Sequence, residues 1–281
     1  MLPAEAALLS VLGAPAGERL RPLPATMVVG AHPDDETVGA GSRLPRLAAA
    51  RFLCVTDGAP RNGEDASRHG FTPEEYARAR RLELQTVLVR CGIAPSRLAS
   101  LEAPDQQAPL LLAPLARTLA DRLAEEGTEV ILTHAYEGGH PDHDATAFIV
   151  HAAVALLRAR RERFPGIVEM ASYHRAPDGV RTFGFLPRAD GEEDHAVTVA
   201  LTPEEQRFKA DLIASFATQR QTLESFPVDR EGFRPAPRYD FRQPPHAGKL
   251  HYEHYPWGMS GDHFRALVAE AMSELGLAGL L

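Results

Sequence analysis

From residue 25 onward the chain alternates short β-rich runs with longer helical ones, the pattern of βαβ units wound around a mostly parallel sheet. Residues 25–31 (ATMVVGA) read as a buried strand ending at a Pro-Asp-Asp turn, followed by a helix over 36–50. Residues 52–56 form a second strand, closed by the turn signal Asp57-Gly58, and a polar, glycine-containing loop runs to Phe71. Thr72-Pro73-Glu74-Glu75 is a helix start with threonine as N-cap and proline at the first position; that helix reaches about Arg90 and stops at Gly92. A third strand (97–101), a helix (110–125), a fourth strand (129–134) and a helix from Asp142 to Arg163 continue the alternation.

Beyond these come a strand at 168–174, another at 196–201 that is antiparallel or at an edge, and a helix from Thr202 to about Ser225. Residues 227–256, rich in Pro, Arg and aromatics, read as irregular, and an amphipathic helix at 262–275 ends at Gly276. No repeat or linker divides the sequence. The expected organisation is an N-terminal helix and connector over 1–23, an α/β domain over 24–225 and a C-terminal extension, 226–281, packed on that domain.

Composition narrows the function. At 281 residues, with 44% hydrophobic and 24% charged side chains, the chain can bury a sizeable core and is not broadly disordered. A formal charge of −8 and a pI near 5.8 argue against a general nucleic-acid binder, which needs a basic field. Cys54 and Cys91 are too few for a disulfide scaffold and read as small core hydrophobes. No apolar run approaches the roughly 20 residues of a membrane span, and the N-terminus lacks the basic region of a signal peptide. The expected location is cytoplasmic. Twelve histidines are the compositional hint of metal or acid–base chemistry.

Some of those histidines cluster where open α/β sheets bind ligands, outside the carboxyl ends of strands. Ala31-His32-Pro33-Asp34-Asp35-Glu36 follows the first strand, and Gly138-Gly139-His140-Pro141-Asp142-His143-Asp144 follows the fourth. Each combines imidazole with carboxylate, donors suited to zinc or ferrous iron. Neighbouring side chains diverge in an extended segment, so Asp34 and Asp35 divide their labour: one binds metal and the other is free as a base. Pro141 suits the first helical position, which puts His140 near the cap and lets His140 and His143, three apart, converge on one pocket. His134 and His151 read as structural or supporting residues, and Tyr136 takes no firm role.

The pairing of Ala-His-Pro-Asp-Asp-Glu at 31–36 with His-Pro-Asp-His at 140–143 resembles the metal-dependent N-acetylglucosaminyl-phosphatidylinositol de-N-acetylase (PIG-L) family, which includes the mycothiol- and bacillithiol-pathway deacetylases. The resemblance runs from about residue 24 to 175 and more weakly to 225. It implies a Rossmann-like α/β fold, mostly parallel sheet flanked by helices, with Zn²⁺ (or Fe²⁺) held by His32, Asp35 and His143. It also implies Asp34 as general base, and His140 as oxyanion stabiliser or proton donor to the leaving amine. Arg80 and Glu83 match the family's Arg-x-x-Glu helix, where the arginine contacts substrate, and Asp105 matches an aspartate near the sugar hydroxyls.

The expected activity is removal of an N-acetyl group from an N-acetylglucosamine-type aminosugar or its conjugate. The partner is then a small-molecule aminosugar, without nucleic acid or membrane span, and self-association into a homo-oligomer is left open. Alternatives are an amidase on a thiol-sugar conjugate, a ferrous oxygenase using the same triad, and a non-catalytic sugar-binding relative; the presence of Asp34 and His140 beside the ligands argues against the last. Residues 227–256 are expected to be a pocket lid or sugar-stacking wall, or else a structural strap.

Overall fold

Val28 and Val29 are buried on opposite faces of the first strand, β1 (Thr26–Gly30), as expected of a strand covered on both sides. The computed structural model describes residues 1–15, 17–188 and 195–277; the last four residues of the expected C-terminal extension, 278–281, lie outside the described residues. After the N-terminal helix α1 (Pro3–Gly13), β1 leads to α2 (Asp35–Ala40), β2 (Arg51–Pro60), α3 (Glu64–Arg68), α4 (Pro73–Arg90) and β3 (Leu98–Asp105). Next come α5 (Leu112–Glu125), β4 (Val130–His134), α6 (Pro141–Ala159) and β5 (Gly166–Met170). The hairpin β6 (Tyr173–Ala176) and β7 (Gly179–Thr182) precedes β8 (Val197–Ala200), α7 (Pro203–Ile213), α8 (Arg220–Leu223), β9 (Arg230–Pro235) and α9 (Gly261–Leu275).

The main sheet has the order β3-β2-β1-β4-β5-β9-β8. Its first five strands are parallel, and β9 and β8 continue it antiparallel, with β8 at the edge as its sequence suggested. This is the Rossmann-like α/β arrangement. Hydrophobic side chains of α5, α6 and α9 pack one face, centred on Phe148, Leu119 and Phe264. The other face is covered by α1, α4 and α7 through Leu8, Leu88 and Leu212.

The helix start at Thr72 behaves as its sequence requires: Thr72 Oγ1 accepts from Glu75 N, and Glu75 reaches back to Thr72 N. Such a cap is worth about 1 kcal/mol. Several expectations need correction. The strand expected over 168–174 is split, with β5 ending at Met170 and β6 beginning a separate hairpin at Tyr173. The helix expected over 36–50 is α only to Ala40 and becomes 3₁₀ over Gly41–Leu47, because Pro45 has no N–H and its ring crowds the preceding turn. The helix expected to reach Ser225 breaks after Ile213 into a 3₁₀ turn and the short α8. The segment expected to be irregular contributes β9 to the middle of the sheet's antiparallel side. Its hydrophobic signal was hidden because two of its buried residues, Glu231 and Arg234, are charged and held by ion pairs.

Candidate active site

The strand order reverses between β1 and β4, since the chain moves outward from β1 through β2 to β3 and then returns to start β4 on β1's other side. A crevice opens there beyond the carboxyl ends. Both sequence clusters fall in it and line one cavity of about 460 Å³, with walls that include His32, Asp34, Asp35, Arg80, Asp105, His140 and His143.

The turn after β1 sends its two aspartates apart. Asp35 folds back so that its Oδ2 accepts from His32 N at 2.6 Å, and the same carboxylate lies 3.1 Å from His134 Nε2 and 3.2 Å from His143 Nε2. Asp34 points the other way, where its Oδ2 accepts from Arg80 Nη2 at 2.6 Å. The divergence expected of adjacent side chains is therefore present, with Asp35 among histidines and Asp34 against an arginine. On the β4 side, His140 caps α6 and its Nδ1 accepts from Asp142 N at 3.1 Å. A neutral His140 then carries its proton on Nε2, as a donor rather than an acceptor.

Asp142 is fully buried and was given no role by the sequence. Its carboxylate accepts from Gln106 N and Ala108 N and lies 3.2 Å from His32 Nε2, tying α6 to the loop after β3 and to the first cluster. His134, expected to support, stacks on His143 with ring centroids 4.0 Å apart and accepts from Ala31 N. The signal that could have found Asp142 is its place inside the His-Pro-Asp-His motif, at the first turn of a helix aimed at the cavity.

Arg80 is buried, and its guanidinium is committed to protein groups: Asp34, Gly58 O at 2.6 Å, and Asp105 at 3.7 Å. Gly58 makes this approach possible. It has φ +71°, and a Cβ there would meet Arg80 Nη1 at 2.6 Å and Pro33 Cδ at 2.7 Å. Asp105 lies 3.3 Å from His32 Nε2. Glu83, on the same helix as Arg80, accepts from Thr218 N and Oγ1 and fixes the turn before α8.

Electrostatically the crevice asks for a cation. Four carboxylates (Asp34, Asp35, Asp105, Asp142) face a single guanidinium, all of them buried. Burial opposes charge on His32, yet Asp105 and Asp35 outweigh it and raise its imidazole above the ordinary histidine range. Burial would raise Asp35, but His143, His134 and His32 overcome it and hold its carboxyl well below the usual value. His140 is lowered by burial and then by repulsion from His32 and His143. Burial raises Asp34, partly offset by Arg80.

Among the described residues, donor atoms of three groups lie within 4.8 Å of one another: His32, His140 and His143; Asp35, His134 and His143; and His32, Asp105 and Asp142. The expected ligand set of His32, Asp35 and His143 spans the first two, joined through Asp35 at 3.4 Å to His32 Nδ1 and 3.2 Å to His143 Nε2. The residues present fit a divalent metal. His32 turns Nε2 to Asp142, which leaves Nδ1 toward Asp35, and a carboxylate behind the distal nitrogen is the usual support for a metal-binding histidine.

A family model described as PIG-L, GlcNAc-PI de-N-acetylase, matches residues 27–154. No curated protein matches the chain. Among solved structures, N,N'-diacetylchitobiose deacetylase from Pyrococcus horikoshii is similar with a TM-score of 0.57 at 18% identity, over 76% of this chain and 84% of that one. The zinc-inhibited form of teicoplanin deacetylase Orf2 gives 0.55 at 16%, over 77% and 99%. The 4-carboxy-2-hydroxymuconate hydratase GalB from Pseudomonas putida gives 0.51 at 19%, over 72% and 82%. At such identities the likeness establishes the fold and leaves the reaction to the site, since one of these neighbours is a hydratase. The matched segment carries both histidine–aspartate motifs and most of the crevice they build, so this part of the chain is similar to the PIG-L family model.

Proposed function

We propose that the protein is a metal-dependent N-deacetylase that hydrolyses the N-acetyl group of an aminosugar or aminosugar conjugate. The observation that carries the reading is the split of adjacent carboxylates: Asp35 is embedded among His32, His134 and His143, while Asp34 faces the cavity with only Oδ2 engaged, by Arg80. A pure binding protein has no use for a free base beside a metal-binding carboxylate.

His32, Asp35 and His143 would hold Zn²⁺ or Fe²⁺, which when bound supplies Lewis acidity to activate water and polarise the acetamide carbonyl. Asp34 accepts the proton of the attacking water, and burial, which raises its pKa, suits it to that task. The Nε2–H of His140 donates to the oxygen that becomes negative during attack; its neutral form is favoured by the same burial that keeps water out. Asp34 then returns the proton to the leaving nitrogen as the C–N bond breaks, giving acetate and a free amine. Arg80 fixes the direction of Asp34, and Asp142 fixes that of His32. Asp105, on the cavity wall beside His32, would meet sugar hydroxyls.

The test is acetate release from N-acetylglucosaminides that differ in aglycone, with and without chelator. Acetate that depends on added zinc or ferrous ion supports the reading. Undiminished acetate release in an Asp34→Asn, His143→Ala double variant would sink it.

A further inference from the structure

The cavity lining is of two kinds. Part of it is polar, with Asn62 and Asp65 from around α3, Gln106 and Gln219. Another part belongs to a closed circuit of six ring contacts, four of whose members, His140, His143, Tyr173 and Trp257, line the cavity. Centroids run from His140 to His143 at 5.3 Å, to Tyr173 at 5.5 Å, to His251 at 5.4 Å, to Tyr255 at 5.1 Å, to Trp257 at 4.5 Å and back to His140 at 4.6 Å. Trp257 lies outside the segment matched by the family model and lines the cavity itself.

The strand of chain that carries Trp257 is tied down at both ends. His251 N donates to Gly138 O at 2.9 Å, next to the second motif. Glu253 accepts from Leu250 N and from Gly261 N, both at 2.8 Å, which staples the segment to the start of α9. Gly138, at φ +74°, has Leu250 Cδ2 at 2.8 Å from where a Cβ would sit, so the segment presses on the motif loop without a side chain between. Tyr255 stacks nearly parallel on Trp257, with 12° between the planes, and holds its indole in place. An anchored indole in a cavity that also offers hydrogen-bonding side chains recognises a ring with an apolar face.

We propose that Trp257 is a specificity-determining residue, stacking on the ring next to the acetylated sugar, so that the substrate is an N-acetylated aminosugar glycoside whose aglycone presents a ring with an apolar face. A second pyranose and an aryl group share that chemistry. This rests on the deacetylase reading for the acetylated sugar, but the contact itself can be tested without turnover.

Trp257 is the sole tryptophan of the chain, so its emission reports occupancy of this wall directly. Metal-stripped full-length protein is titrated with methyl N-acetylglucosaminide, phenyl N-acetylglucosaminide and N,N'-diacetylchitobiose. A saturable emission change with at least one ring-bearing ligand, at roughly three- to ten-fold lower concentration than with the methyl glycoside, is expected from one aromatic stacking contact. The ligand that responds identifies the ring as pyranose or aryl. In the metal-loaded enzyme, Trp257→Ala lowers the kcat/KM preference for the ring-bearing substrate over the methyl glycoside by the same factor, through KM, and Trp257→Phe restores most of it. An equal fall in kcat on all three substrates, or an emission unmoved by either ring-bearing ligand, overturns the proposal. Absence of acetate from all three counts instead against the deacetylase reading, and the emission titration stands apart from it.

Discussion

On the antiparallel side of the sheet, Glu231 is fully buried between Lys209 Nζ at 3.1 Å, Ser42 N and Oγ at 2.9 and 2.7 Å, and Arg43, which goes on to Glu205 at 2.8 Å. At the carboxyl ends of β1 and β4 a second buried cluster of ionisable groups has the opposite character. In the first, two cations answer two carboxylates, so the charges balance even though Lys209 Nζ and Arg43 Nε are themselves buried without a hydrogen-bond partner. In the second, four carboxylates and four imidazoles meet one arginine, and His143 Nδ1 and His134 Nδ1 are buried without a hydrogen-bond partner. A balanced network resists unfolding when intact; an unbalanced one leaves capacity for a cation and a reacting molecule. The lesson is that burial of charge is not by itself a sign of function, whereas an excess of one sign converging on a cavity is.

The two clusters should respond to mutation in opposite ways, and the largest expected effect is in the crevice. Asp34→Asn removes the proposed base and should lower kcat by about 10²–10⁴-fold, with the urea unfolding midpoint unchanged or raised, since one of four repelling carboxylates is lost. A midpoint that falls with kcat would make Asp34 a structural residue and erase the contrast. Conversely, Lys209→Met leaves Glu231 buried and short of a cation, at a cost of about 3–5 kcal/mol in stability. At a temperature where the variant remains folded, kcat per folded molecule should stay near that of the parent. A double change, Lys209→Met with Glu231→Leu, should recover most of the lost stability; failure to recover would show that the pair does more than neutralise itself.

Asp142→Ala tests a residue that touches both the histidines and the loop after β3. Loss of its carboxylate should weaken zinc affinity by about 10–100-fold, measured against a competing chelator. Unchanged affinity would mean that Asp142 serves only the backbone amides of Gln106 and Ala108.

How much of this was legible beforehand differs between the same two regions. The crevice announced itself because its residues are local: His32, Asp34 and Asp35 lie within four positions, as do His140 and His143, and strand ends fix where such short motifs go. The mostly parallel sheet also followed from alternating patterns that reflect burial on two faces, and β8 is both antiparallel and at an edge, the two readings its sequence offered; the strand order itself was not legible. The balanced cluster was invisible because Glu231 pairs with Ser42 across 189 residues, and no local pattern encodes that distance. The same pairing disguised β9 as loop. Arg80 was located correctly on its helix, but its engagement with Asp34 depends on Gly58, whose positive φ brings another strand's backbone within reach. The circuit of rings beside the cavity was legible only in part, as an aromatic segment that was expected to be a lid, a stacking wall or a strap, since its members come from β6, the segment before α9 and the second motif.

A smaller effect sharpens the contrast from outside both clusters. His151 packs between Tyr239 and Phe241, with centroids at 5.4 and 5.3 Å, and burial pushes its imidazole down to about 4. Its folded state is therefore neutral where the unfolded chain takes up a proton. The stability it contributes is complete above about pH 6.5 and is lost as the pH falls toward 4, amounting to about 1–2 kcal/mol at pH 5. His151→Phe should flatten that acid limb in urea titrations at pH 7 and pH 5 without changing zinc affinity. An unaltered limb would place the acid sensitivity elsewhere.

The most direct test of the central claim is acetate release from an N-acetylated aminosugar glycoside by chelator-stripped protein as zinc is titrated back and bound metal is counted. The crevice predicts no release from the stripped chain and a rise that levels off at one metal per chain. Full turnover by the stripped protein, or one bound zinc with no acetate from any glycoside offered, would contradict it.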